Sequence, residues 1–154
     1  MIETPIILQT AAQKVARVHL TVPRAEIQHV MMPGLNEIKA VLEDQGIKPT
    51  GPWFTHHLQM SPEVFDFEIC LPVDTSIKAV GRVQAGEIPS VRAARTVYHG
   101  DFEGLGDAWG QFMDWIETNH HRSAPDLLET YLAGPESSPD PANWATQLTR
   151  PLLD

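Results

Sequence analysis

At 154 residues and 42% hydrophobic content, the chain is long enough for one domain that buries roughly two-thirds of its unfolded surface, and a second domain is not expected. Eleven Lys and Arg against 20 Asp and Glu leave a formal net charge of −9, and the basic residues are scattered, so direct DNA binding is not expected of this chain. A single cysteine, Cys70, excludes an intramolecular disulfide and a Cys-based zinc site; an acid at Glu3 and the lack of any run near ~20 apolar residues argue against a signal peptide or membrane span and for the cytoplasm.

In chain order, Ile6–Thr10 and Lys14–Val22 read as strands, the second alternating enough to be half-buried. Pro23 ends it. Leu35, Ile38, Val41 and Leu42 then fall at helical spacing, with Pro33 near the helix start and Gly46 as its stop, predicting one amphipathic helix over Leu35–Gln45. After the turn signal Lys48-Pro49-Thr50-Gly51-Pro52 come strand-like runs at Trp53–Met60 and Val64–Val73, joined by Ser61-Pro62-Glu63. Asp74–Ser90 reads as a linker, containing Gly81, Gly86 and Pro89.

The order repeats. A strand at Val91–His99 precedes a helix carrying Leu105, Ala108, Trp109, Phe112, Met113 and Ile116, and strands follow near Leu127–Leu132 and Thr146–Leu152, with Gly134–Pro141 as a surface loop. Ala16-Arg17 aligns with Ala94-Arg95, Ile38 with Trp109, Val41 with Phe112, Trp53-Phe54 with Leu127-Leu128, and Leu71-Pro72-Val73 with Arg150-Pro151-Leu152. A duplication with pseudo-repeats at about 5–73 and 82–153 accounts for this. The fold class expected is α+β: duplicated βαββ units forming a mostly antiparallel sheet with two helices on one face, over 1–154 as a single domain.

Seven pieces in order carry a family resemblance: Gly51-Pro52-Trp53-Phe54; Phe65–Val73 with its Pro72-Val73 end; Glu87-Ile88-Pro89; Tyr98-His99-Gly100-Asp101-Phe102; Trp109–Trp115–Ile116; Glu129-Thr130-Tyr131-Leu132; and Trp144–Leu152. From about Lys14 to Leu153 the chain resembles the GyrI-like effector-binding domains, which occur alone and as ligand-sensing modules of AraC-type and MerR-type regulators. It departs from them at Gly100-Asp101-Phe102, where the family has Gly-Pro-Tyr, so a tyrosine hydroxyl is missing there; Tyr98 stands near enough to be considered in its place. The chain starts almost at once with the domain, so any role in transcription is expected to run through a partner.

Glu129 and Tyr131, two apart on a strand, share a face with Leu127. The equivalent face of the first half carries Trp53, Thr55 and His57, and only the second half places an acid there. The bland alternative is a solvent-facing Glu on an edge strand. The resemblance implies that Glu129 is a pocket acid, and the physics agrees: a carboxylate in an aromatic-lined cleft neutralises a cation that is costly to desolvate, and aromatic faces add roughly 0.5–2 kcal/mol of cation–π attraction. Phe112 suits the core, since a helical aromatic stripe is more often core than ligand box. Trp109, Trp53, Tyr98, Phe102 and His57 complete the candidate ligand-binding set. Glu68, on the opposite face of its strand from Phe65, Phe67, Ile69 and Leu71, is either a second acid or simply solvated, with the second reading favoured.

The pairs His56-His57 and His120-His121 do not make a metal centre, because adjacent strand residues point to opposite faces and no third ligand is placed by spacing. No cofactor and no metal are expected. The leading reading is a stand-alone small-molecule-binding protein that takes up a hydrophobic, cationic or aromatic ligand in a cleft between the halves. The resemblance also implies two alternatives: a hydrolase of cyclopropane-bearing toxins that uses the Glu/Tyr pair, or a modulator that works on a protein partner, a regulator or DNA gyrase.

Overall fold

The computed structural model describes residues 2–60, 63–135 and 137–153. The predicted Ser61-Pro62 turn and Glu136 of the predicted 134–141 loop lie outside them. The fold is α+β with a mostly antiparallel sheet. Strand Ile6–Gln9 pairs antiparallel with Arg92–His99, Val64–Pro72 with both Gln13–Pro23 and Phe54–Met60, Val83–Ile88 with Gln13–Pro23, and Ala145–Pro151 with both Arg92–His99 and Leu127–Ala133. The chain divides into two compact units: a first-repeat unit, Ala11–Ser90, and a second-repeat unit made of Met1–Thr10 with Val91–Asp154.

In the first-repeat unit, β2 (Gln13–Pro23), α1 (Ile27–Asp44), β3 (Phe54–Met60), β4 (Val64–Pro72) and β5 (Val83–Ile88) follow in sequence, and the strands lie in the order β3-β4-β2-β5. Period-two alternation decides which side chains meet the helix. Ala16, Val18 and Leu20 of β2 and Phe67, Ile69 and Leu71 of β4 form one buried cluster with Leu35, Ile38, Val41 and Leu42 of α1.

Helix α1 starts earlier than its sequence signals suggest, and Pro33 lies inside it instead of at its start. The ring removes one N–H bond, which would have reached the carbonyl of His29. The apolar spacing nevertheless continues upstream: Ile27, Val30 and Met31 pack on the same core, and their burial offsets the lost bond. The predicted linker also contains a strand. Its apolar alternation is broken by Gly86, yet β5 completes the free side of β2 with Gly86 opposite Val15. A Cβ at Gly86 would come 2.7 Å from the Arg17 guanidinium, so the glycine makes room for an arginine lying across the strand.

The second-repeat unit holds β6 (Arg92–His99), α2 (Leu105–Thr118), β7 (Leu127–Ala133) and β8 (Ala145–Pro151), with β1 (Ile6–Gln9) added beside β6, in the order β7-β8-β6-β1. Each repeat is therefore a βαββ unit joined by one further edge strand. Ala94, Tyr98 and Leu148 pack beneath Ala108, Phe112 and Ile116 of α2.

The duplication is legible in backbone detail. Both helices end in the same motif: Ile47 N–H donates to the Leu42 carbonyl as His121 N–H does to that of Ile116, with Gly46 at φ 67° and His120 at φ 64° in the left-handed position. These pairs are 74 positions apart. The same spacing relates Thr55 to Glu129, and the bulge after His57 to the bulge after Tyr131, while their partners Ile69 and Leu148 on the neighbouring strands also correspond. The helix pairing drawn from sequence is thereby corrected by one turn: Trp109 corresponds to Leu35 and Phe112 to Ile38. Aromatic bulk made the shifted match attractive, but the buried stripes align only in the new register.

Candidate functional site

β7 places Leu127, Glu129 and Tyr131 on the face that meets α2, because Glu129 pairs with Leu148 and Tyr131 with Thr146 in β8. One turn before the buried Phe112, α2 presents Trp109, whose indole Nε1–H donates to Glu129 Oε2 at 2.7 Å. The Tyr131 hydroxyl donates to Oε1 at 3.0 Å. Both carboxylate oxygens thus carry a donor, and the group stays half-buried. Burial pushes the Glu129 carboxyl above its ordinary range, and the bonds from Trp109 and Tyr131 pull against that without cancelling it.

Aromatic rings surround the pair. The Phe102 ring stands edge-on to Tyr131 at 6.2 Å and tilts against Trp144 at 5.1 Å. Trp109 tilts against Phe112 at 5.7 Å. The Trp144 indole is tied by its N–H to the Ser138 carbonyl at 2.9 Å, which fixes its plane. Phe102 remains 40% exposed, a large apolar surface beside a half-buried charge. Tyr98 lies on the same face, in register with Thr146. Its hydroxyl fills the space over Gly104, where a Cβ would stand only 2.0 Å away, so Gly104 lets the turn that carries Phe102 close down on the tyrosine.

The structure thus brings Glu129, Tyr131, Trp109 and Phe102 into direct contact and sets Tyr98 two strands away. Trp144 is an addition to the predicted set. Its signal in the sequence was only its place at the start of the Trp144–Leu152 segment, just before β8, where no strand periodicity assigns it to a face.

Trp53 and His57 belong to the first-repeat unit. Trp53 is half-buried against that unit's core. His57 is buried, stacked on Phe67 at 5.3 Å and edge-on to Phe65 at 5.6 Å, and Thr55 Oγ1 lies 3.2 Å from its Nε2. The Arg24 guanidinium sits 4.3 Å above the Phe65 ring. Burial first, then the neighbouring His56 and Arg24, push the imidazole down to about 4, so His57 is neutral at physiological pH.

Glu68 is not solvated. On the face of β4 away from the helix it is buried, 3.1 Å from Arg17 and with His56 at 3.6 Å. Burial raises its pKa, but the nearby His56 and the charge of Arg17 outweigh it and leave the carboxyl below its usual range. A depression of about 340 Å³ at the end of α1, lined by residues such as Lys39, Leu42 and Ile47, takes in none of the predicted site residues. Among the described residues no cluster of three or more His, Cys, Asp or Glu is arranged to hold a metal ion, and no helix is long and apolar enough to cross a membrane.

Residues 3–153 match the family described as the GyrI-like small molecule binding domain, and the chain belongs to that family. The fold is shared with EcmrR in its DNA complex, at 21% identity and TM-score 0.85 over 98% of this chain. This chain spans only 57% of that one. The isolated EcmrR C-terminal domain matches at 22% identity and TM-score 0.84, over 97% of this chain and 96% of that one. SAV2435, solved bound to tetraphenylphosphonium, matches at 11% identity and TM-score 0.67, over 97% of this chain and 94% of that one. No curated protein matches the chain.

Proposed function

We propose that this protein binds a hydrophobic, aromatic, cationic small molecule, with Glu129 as the counter-charge, and acts as a receptor or sequestering protein in the cytoplasm. One observation carries the reading: a half-buried carboxylate whose two oxygens are held by Trp109 and Tyr131 inside a set of aromatic rings. Such a carboxylate is already desolvated and oriented, so a cation gains its attraction without paying again to strip or order it. Phe102, Trp109 and Trp144 offer ring faces for the apolar body. The tetraphenylphosphonium bound by SAV2435 is a ligand of this chemical class on the same fold, which supports the choice.

Tryptophan fluorescence titration with 1-methyl-4-phenylpyridinium and its neutral isostere 4-methylbiphenyl tests it. Glu129→Gln is expected to weaken the cation by on the order of 1–3 kcal/mol and to leave the neutral compound nearly unchanged. Equal weakening of both would mean that Glu129 holds the shape of the site and not its charge. The rival hydrolase reading draws on the same Glu129–Tyr131 contact, which suits a general acid. It predicts that Glu129→Gln spares affinity and slows turnover of a strained electrophile by about 10²–10⁴.

A further inference from the structure

Across the second-repeat unit, Tyr98, Thr146 and Tyr131 form one row on the face that meets α2, each in register with the next. Thr146 is completely buried, and its hydroxyl has no hydrogen-bond partner among the described residues. A buried hydroxyl without a partner is destabilising, and valine would fill the same volume on a strand without that cost. The hydroxyl lies between two tyrosine positions: Tyr98, on which Gly100 and Gly104 close, and Tyr131, against which the Phe102 ring stands edge-on. The ring carried by that turn, Phe102, is the most exposed aromatic of the group, and a side chain of this kind changes rotamer within nanoseconds.

We propose that Thr146 is a second ligand contact, a hydrogen-bonding subsite reached when Phe102 swings aside, which takes a hydroxyl or carbonyl group on the apolar body of the cation held at Glu129. This rests on the assignment of Glu129 as the counter-charge. Thr146 lies one strand over and two residues along from Glu129, which spaces the two subsites by roughly 8 Å. The preferred ligand is therefore an aromatic cation with a polar group at the end opposite its charge.

Two probes of that length test the idea: trimethyl[2-(4-hydroxyphenyl)ethyl]ammonium and the analogue without the hydroxyl. The protein is expected to bind the hydroxylated probe about three- to tenfold more tightly, the worth of one neutral hydrogen bond. Thr146→Val should erase that preference and leave the affinity of the deoxy probe unchanged, while Thr146→Ser, which keeps the hydroxyl, should retain it. Thermal melting of each variant confirms that it is folded. A preference that survives in Thr146→Val, or equal binding of both probes by the unsubstituted protein, as expected if a trapped water satisfies the hydroxyl, overturns the proposal. Glu129→Gln separates the two readings. If it fails to weaken both probes, the counter-charge assignment falls and this inference with it; if it weakens both while the hydroxyl preference is absent, only the Thr146 subsite falls.

Discussion

Thr55 and His57 occupy in one repeat the places that Glu129 and Tyr131 occupy in the other, with the same register and the same bulge just beyond them. Both are hydrogen-bonded pairs two residues apart on a strand, at 3.2 Å and 3.0 Å. Their surroundings differ. On the first-repeat helix the residue equivalent to Trp109 is Leu35, which has no donor to offer, and the ring of Phe67 stacks on His57. The result is a closed core with a neutral imidazole inside it. In the second-repeat unit Thr146 takes the place of Phe67, Trp109 supplies a donor, and Glu129 stays half-buried, not sealed. One backbone template thus supports a sealed polar pair in one copy and an accessible charge in the other, and the exchange of a few side chains accounts for it.

The most severe way to break this contrast is to place the acid in the sealed copy. Thr55→Glu would bury a carboxylate at a position with no exposure and no indole donor, and a loss on the order of 3–5 kcal/mol is expected. Chemical denaturation at neutral pH measures it. A near-neutral effect would show that the two copies are interchangeable hosts for the charge.

The pH dependence of stability sharpens the contrast further, because the two copies push in opposite directions. His57, lowered from 6.5 to about 4, binds its proton more readily in the unfolded chain, so its contribution is fully present above pH 6.5 and is lost as pH falls toward 4. The loss amounts to up to roughly 3 kcal/mol. His57→Phe should flatten that part of the stability profile in a denaturation series from pH 7 to 4. An unchanged slope would place the imidazole in solvent contact.

Glu129 gives the opposite sign. A carboxyl raised by burial holds its proton more tightly in the folded state, so its contribution to stability is complete below the unfolded value and is lost as pH rises through the folded one. Glu129→Gln should therefore remove a component that favours acid, and the difference between variant and parent melting temperatures should grow in the variant's favour from pH 4 to 7. Cation binding should run the other way, strengthening as pH rises and Glu129 ionises. A melting difference independent of pH would indicate a carboxylate with an ordinary pKa.

Much of this was open to inspection in the residues alone. Alternation of two in Lys14–Val22 and Phe65–Leu71, helical spacing in Leu105–Ile116, and the recurrence of Ala-Arg and of Pro-Val or Pro-Leu determined the α+β class and the duplication, because burying one face of a strand or helix imposes that periodicity. The same rule put Glu129 and Tyr131 on one face. Three things were decided only in three dimensions. Pro33 sits within a helix because packing of Ile27, Val30 and Met31 on a distant strand outweighs a local breaker. β5 forms at a glycine because the strand beside it needed a partner and Arg17 needed the room. The chemical difference between the copies depends on Trp109 reaching 20 residues along the chain to one carboxylate and on Phe67 lying flat on His57. Side-chain contacts of this kind join residues whose separation in sequence carries no period, so only the packed structure brings them together.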